Sequence, residues 1–180
     1  MSSTNLLFDE NVISEFSGRF RFLSNFYPSE IKVGNLRFAN SESFYQSCKY
    51  FCSEMNEDDF ALFREIVDTT NPQKAKRLSR KFSLNKKLWD NKRVQYMKGA
   101  VHMKFDQNPE LATWLKLTQY AYLQEGNSWG DVFWGIDLKT GKGKNMLGHI
   151  LMKEREFLIH QDNFNEYEVM FDNLVMFDNL

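Results

Sequence analysis

Glu42, Gln46 and Lys49 lie in the segment Ser41-Glu42-Ser43-Phe44-Tyr45-Gln46-Ser47-Cys48-Lys49-Tyr50-Phe51. At 100° per residue these three project from one side of a helix, while Phe44, Cys48 and Phe51 project from the other. An acid, an amide and an amine are thereby presented on one rigid element anchored by its apolar side. Seven residues separate Glu42 from Lys49, roughly 10.5 Å along the axis, too far for a simple helix ion pair. Two readings fit this spacing: a solvated polar face, or an acid, an amide and an amine presented together for chemistry.

Three further constellations carry groups able to hold a substrate. Thr140-Gly141-Lys142-Gly143-Lys144-Asn145 precedes the last apolar-periodic stretch. Its glycines, its lysines and the start of the following helix suit either an anion or a plain loop. It is not a P-loop, because G-x-x-x-x-G-K-[ST] is absent. Asp131-Val132-Phe133-Trp134-Gly135 sets an acid and an indole three residues apart. The indole face can stack on a base or lie in the core. In Phe22-Leu23-Ser24-Asn25-Phe26-Tyr27-Pro28 the Asn25 amide can bond a ribose hydroxyl or a base edge, or satisfy backbone in a turn.

The elements that must position these groups can be read from periodicity. Phe20, Phe22 and Phe26 alternate with polar residues as in a strand that Pro28 ends. Ile31–Val33 and Leu36–Phe38 flank Gly34-Asn35 as a hairpin. The Glu42 helix follows, capped by Asn40 or Ser41. A second helix opens on Glu57-Asp58-Asp59 with Phe60, Phe63, Ile66 and Val67 as its apolar stripe, and a third opens on Asn71-Pro72. Trp89, Val94, Met97, Val101 and Phe105 define a long fourth helix. A fifth starts at Asn108-Pro109, and the last runs from about Asn145 to Ile159. Short strands are expected at Tyr120–Leu123 and at Val132–Trp134. The fold class expected is mainly α with a small antiparallel β element.

With 180 residues, 42% hydrophobic and 16% aromatic, the chain suits one packed domain. A net charge of −1 excludes global attraction to nucleic acid or anionic lipid. Locally, Lys74 to Arg93 holds nine basic residues against Asp90 alone. That stretch is either a solvated helix face or a platform for phosphates, and RNA binding through it is a weaker alternative. Cys48 and Cys52 are poorly spaced for a disulfide, and His102, His149 and His160 are scattered with no metal-ligand pattern. The expectation is a soluble, reduced, cytoplasmic, metal-free and cofactor-free protein with no signal peptide and no membrane partner. From Glu154 onward the chain is acidic, and Val169–Leu174 repeats verbatim as Val175–Leu180, too short for a structural repeat. Residues 160–180 are therefore set apart as an acidic tail and residues 1–159 as the domain.

Several segments taken together resemble the YbiA-like, or NADAR, family of N-glycosidases. They are F-L-S-N-F-Y-P at 22–28, S-E-S-F-Y-Q-S-C-K-Y-F at 41–51 and N-P-Q-K-A-K-R-L-S-R at 71–80. Trp89, M-K-G-A-V-H-M-K-F at 97–105, D-V-F-W-G at 131–135 and G-K-G-K-N-M-L-G-H-I-L-M-K-E-R at 141–155 complete the set. The resemblance implies a mainly helical fold and cleavage of an N-glycosidic bond on a phosphorylated ribose. Its substrates would be ADP-ribosylated guanine, free or in nucleic acid, or phosphorylated riboflavin-pathway intermediates. It implies Glu42, Lys49 and Asp131 as catalytic groups. The implied substrate-binding set is Asn25, Phe26, Tyr45, Gln46, Trp89, Trp134, Gly135, Lys142, Lys144 and Asn145. Two departures stand out: Ser79 where the family's A-K-x-x-G-R usually has Gly, and Asp137 in place of the second Gly of W-G-x-G. The rival reading from another class is a non-catalytic module that binds ADP-ribose or a nucleotide.

Overall fold

The computed structural model describes residues 11–160. The tail with its duplicated hexapeptide lies outside the described residues. In chain order the elements are β1 (Val12–Ile13), β2 (Ile31–Val33), β3 (Leu36–Phe38), α1 (Ser41–Ser47), α2 (Glu57–Asp68), α3 (Pro72–Leu78) and α4 (Lys86–Asp106). Then come α5 (Pro109–Leu117), β4 (Tyr122–Leu123), β5 (Gly126–Asn127), β6 (Ile136–Asp137), β7 (Lys142–Gly143) and α6 (Met146–Ile159). Short 3-10 turns occupy Gly18–Leu23, Cys48–Cys52 and Ser79–Lys81. The fold is mainly α with small β elements.

The chain divides into two compact units. One comprises residues 25–108, where α1 packs against α2, α3 and α4. All four of these helices begin the same way: an asparagine side chain accepts a backbone N–H three residues on. The pairs are Asn40 with Ser43, Asn56 with Asp59, Asn71 with Lys74 and Asn85 with Leu88. Each cap satisfies an N–H the helix leaves unpaired and contributes about 1 kcal/mol. The expected hairpin is present, with Ile31 opposite Phe38 and Val33 opposite Leu36. Phe38 packs edge-on against Phe44 at 5.3 Å, which ties the hairpin to α1.

The other unit comprises residues 11–24 and 109–160. Here α6 packs against α5 and β4. β1 runs parallel to β4, and β6 pairs parallel with β5 and antiparallel with β7. Two strands expected from the sequence take other forms. Gly18–Leu23 is a 3-10 turn opened by the Phe20 N–H donating to Ser17 O, and it buries Phe20, Phe22 and Leu23 together. Residues i and i+3 eclipse in such a turn, so Phe20 and Leu23 share a face that alternation did not anticipate. Val132–Trp134 is a turn, because the Asp131 carboxylate captures two backbone N–H groups that a strand would need (below).

Candidate active site

In residues 25–108, α1 is buried along its whole length, from Ser41 to Ser47. The solvated-face reading therefore fails: Glu42 and Gln46 are 6% and 4% exposed. Asn25 pins the first turn, since its backbone oxygen accepts both the Glu42 N–H at 3.1 Å and the Ser41 hydroxyl at 3.3 Å. The Asn25 amide is likewise committed, with Oδ1 accepting from Ser41 Oγ and Nδ2 directed at Met97 Sδ. Asn25 thus sets where Glu42 stands.

A continuous hydrogen-bond chain leaves Glu42. Gln46 Nε2 donates to Glu42 Oε1 at 2.9 Å, one helical turn away. Gln46 Oε1 accepts from Ser79 Oγ at 2.5 Å, and Ser79 Oγ accepts from Lys49 Nζ at 3.0 Å. Acid and amine, too far apart for direct contact, are joined through two neutral groups. The α-helix expected to run to Phe51 ends at Ser47 and tightens into the 3-10 turn Cys48–Cys52. Lys49 therefore departs from the azimuth a continuous α-helix gives it.

Beneath the amine lies an aromatic floor. Lys49 Nζ sits 5.4 Å from the Trp89 ring centre, and Trp89 packs against Tyr45 at 5.2 Å and Tyr96 at 6.0 Å. The Lys49 amine is lowered from its ordinary 10.5 to about 8: burial is the largest cause, Glu42 pulls the other way, and the cations of Lys76 and Arg80 add to the lowering. Burial outweighs the carboxylate, so a neutral amine is accessible near neutral pH beside an acidic residue. Ser79, Lys76 and Arg80 join the site from α3 and the turn that follows it. The basic run was visible in the sequence; which members of it face Lys49 was not.

In residues 11–24 and 109–160, Asp131 Oδ1 accepts the N–H groups of Phe133 and Trp134 at 3.0 and 2.9 Å, and the Asp131 N–H donates to Asn127 Oδ1. Asp131 thus shapes the turn that carries Trp134, whose ring meets Phe133 edge-on at 4.9 Å. Asn127 was missed by the sequence reading, although an Asn four residues before the Asp fits an amide-braced turn. The carbonyls of Val132, Phe133, Trp134 and Gly135 then accept the N–H groups of Lys144, Met146, Leu147 and Asn145 respectively. The backbone donors expected to cradle an anion at the start of α6 are already engaged. What this loop offers an anion is the exposed lysines, and Lys144 Nζ lies 5.6 Å from the Phe133 ring.

Two glycines of this region, Gly135 and Gly143, are accounted for by close strand contact. A Cβ on Gly135 meets Glu125 O at 2.1 Å, and one on Gly143 meets Gly135 O at 2.1 Å. Asp137, the departure noted above, holds the turn after β6 by accepting the Lys139 N–H and the Thr140 hydroxyl. Phe26 is half-buried.

Asn145 is a brace: it sits at φ +48°, 1% exposed, and its side chain does not cap α6. Oδ1 accepts the Glu125 N–H, and Nδ2 donates to Leu123 O and Tyr122 Oη. Asn145→Ala removes all three bonds and places alanine in the left-handed region. It should destabilise the protein by about 2–4 kcal/mol, read as a lowered urea midpoint at unchanged slope.

Comparison with known proteins agrees with this architecture. The NADAR domain profile matches residues 11–159. N-glycosidase YbiA of Escherichia coli is 36% identical over 136 residues, spanning 75% of this chain and 79% of that protein. A riboflavin biosynthesis protein of Vibrio vulnificus is 37% identical over 145 residues, 80% of this chain but 37% of its own length. This chain thus spans little more than a third of that longer relative. The NMR structure of the E. coli protein YbiA superposes with a TM-score of 0.70 at 30% identity, covering 88% of this chain and 92% of that one. The chain belongs to the NADAR domain family. Among the described residues no group of three His, Cys, Asp or Glu side chains is placed to hold a metal, and no helix is long and apolar enough to cross a membrane.

Proposed function

We propose that this protein hydrolyses the N-glycosidic bond between a phosphorylated ribose and a nitrogenous base, using Lys49 as nucleophile and Glu42 as its proton partner. The broader activity, cleavage of an N-glycosyl bond, is what relatives at 36% and 31% identity are named for, and this chain is an enzyme of that class. The observation that carries the finer reading is the amine held at about 8 and linked to a buried carboxylate.

The neutral amine attacks C1′ while the C1′–N bond to the base breaks, its electron pair going to the base nitrogen, which takes up a proton. The resulting N-ribosyl-lysine opens at the C1′–O4′ bond to a protonated iminium. Water then adds at C1′, the C1′–Nζ bond breaks, and free lysine and ribose phosphate are released. Glu42 accepts and returns the protons that these steps move. Lys76 and Arg80, close enough to lower the Lys49 pKa, are suited to the substrate's phosphate, as are the exposed Lys142 and Lys144. The substrate class is ADP-ribosylated guanine or a 5-phosphoribosylamino-pyrimidine of riboflavin synthesis, and a cytoplasmic location fits both.

The test is turnover of these two compounds, followed by mass spectrometry for free base and phosphorylated ribose. Binding of either without release of base makes the protein a nucleotide-binding module and ends the catalytic reading. The phosphate end is tested by two double variants. Lys142→Ala with Lys144→Ala is expected to raise KM about tenfold, with kcat and the pH profile unmoved. Lys76→Ala with Arg80→Ala is expected to raise KM similarly and also to shift the profile to higher pH, because two cations that depress the Lys49 pKa are gone. Equal losses for phosphorylated and dephosphorylated substrates in both variants exclude these lysines and Arg80 as phosphate ligands.

A further inference from the structure

We infer that Ser79 is the positioning residue that fixes the direction of the Lys49 amine and turns its lone pair outward for attack. The polarity of the hydrogen-bond chain from Glu42 fixes where each proton lies. An ionised carboxylate only accepts, so Gln46 must present Nε2 to Glu42 Oε1, which leaves Gln46 Oε1 facing Ser79. The single Ser79 hydroxyl proton has two acceptors in reach, Gln46 Oε1 at 2.5 Å and the Lys76 carbonyl at 3.0 Å; the shorter contact takes it, and neither choice turns it toward Lys49. Its oxygen has only lone pairs left for Lys49, and the amine must donate to it at 3.0 Å. A neutral amine has one lone pair. With an N–H bound to Ser79 and no hydrogen available from it, that pair points away from Ser79.

Without this polarity the hydroxyl could donate to the amine and occupy the pair the reaction needs. Ser79 is 2% exposed, its backbone is helical, and it comes from the turn after α3, thirty-three residues beyond Gln46. Charged groups acting on the amine are Glu42 from α1, Lys76 from α3 and Arg80 from the following turn; α4 presents the Trp89 ring. This inference rests on Lys49 being the nucleophile, but its first readout is independent of turnover.

Ser79→Ala removes the acceptor of a bond that is stronger to the ammonium than to the neutral amine, so the charged form loses more. Acetylation of Lys49 by trace acetic anhydride across pH, quantified by mass spectrometry, reads the neutral fraction directly. Its midpoint in Ser79→Ala should fall by about half a pH unit. Ser79→Thr, which keeps the hydroxyl, should restore it. Ser79→Cys, near in size with a weak acceptor, should follow Ser79→Ala and serves if the alanine variant does not fold. In turnover, kcat should drop at least about tenfold with KM within about twofold. A midpoint in the folded alanine or cysteine variant that equals or exceeds the wild type overturns the inference. If wild-type protein turns over neither ribosyl compound, the proposed function fails while the acetylation result still decides the role of Ser79.

Discussion

Replacing Glu42 by Gln should cut kcat by at least about 100-fold and leave the melting temperature within a few degrees of wild type. The rate loss follows from removing the proton acceptor, a role that contributes about 10²–10⁴-fold in acid–base catalysis. Folding is spared because the substitution keeps the shape and a carbonyl acceptor for Gln46 Nε2, and the backbone bond from Glu42 N to Asn25 O is untouched. A second signature accompanies it. The carboxylate raises the Lys49 pKa, so its neutralisation moves the midpoint of Lys49 reactivity to lower pH, making the amine more available while the enzyme becomes slower. That opposition separates proton transfer from a role for Glu42 in tuning Lys49 alone. A variant with wild-type turnover removes Glu42 from the mechanism.

Lys49→Met should abolish detectable turnover yet raise the melting temperature at pH 7. The amine's folded-state pKa is depressed from 10.5 to about 8, so the unfolded chain holds this proton more tightly. Stability therefore rises with pH between about 8 and 10.5, and the destabilisation is fully present below about 8. Methionine fills the apolar space over Trp89 without that charge, although it loses the bond to Ser79 and the contact with the ring. A gain of several degrees at pH 7, shrinking towards pH 10.5, is the expected calorimetric result. In the wild type, kcat/KM should rise about tenfold per pH unit below pH 8 and level off above it, as a nucleophilic amine requires. Borohydride added during turnover should trap a ribosyl adduct on Lys49. A rate that falls above pH 8, with no adduct, indicates that Lys49 acts as a cation and that water attacks directly.

The parts of the fold legible in the sequence were those determined over a few residues. Asn40, Asn71 and the Gly34-Asn35 turn act on backbone within three residues of themselves, so their signals lie next to their effects. The same locality made Glu57-Asp58-Asp59 readable as a helix start, although its cap, Asn56, went unread. Phe20 and Phe22 misled because alternation in a short segment fits a 3-10 turn as well as a strand. Val132–Trp134 misled because β-branched and aromatic composition was outweighed by one carboxylate two residues upstream of the first N–H it captures. In the candidate site, Glu42 and Lys49 were visible as an acid and an amine on one segment. Their connection was not, since it passes through Ser79, a residue close only in the folded chain.

The complete burial of α1 limits where new substrate preferences can arise. A helix with every side chain enclosed offers no position at which a change of size goes unfelt, so variation there costs folding before it alters recognition. The turn between β6 and β7 is the opposite case. Leu138 to Gly141 are exposed, and Gly141 at φ +67° has open space around it, whereas Gly135 and Gly143 at the strand ends admit no side chain. Insertions and substitutions confined to 138–141 can thus lengthen or recharge that loop between fixed anchors. Laboratory diversification of the protein should begin there, leaving the acid–amine chain that starts on α1 untouched.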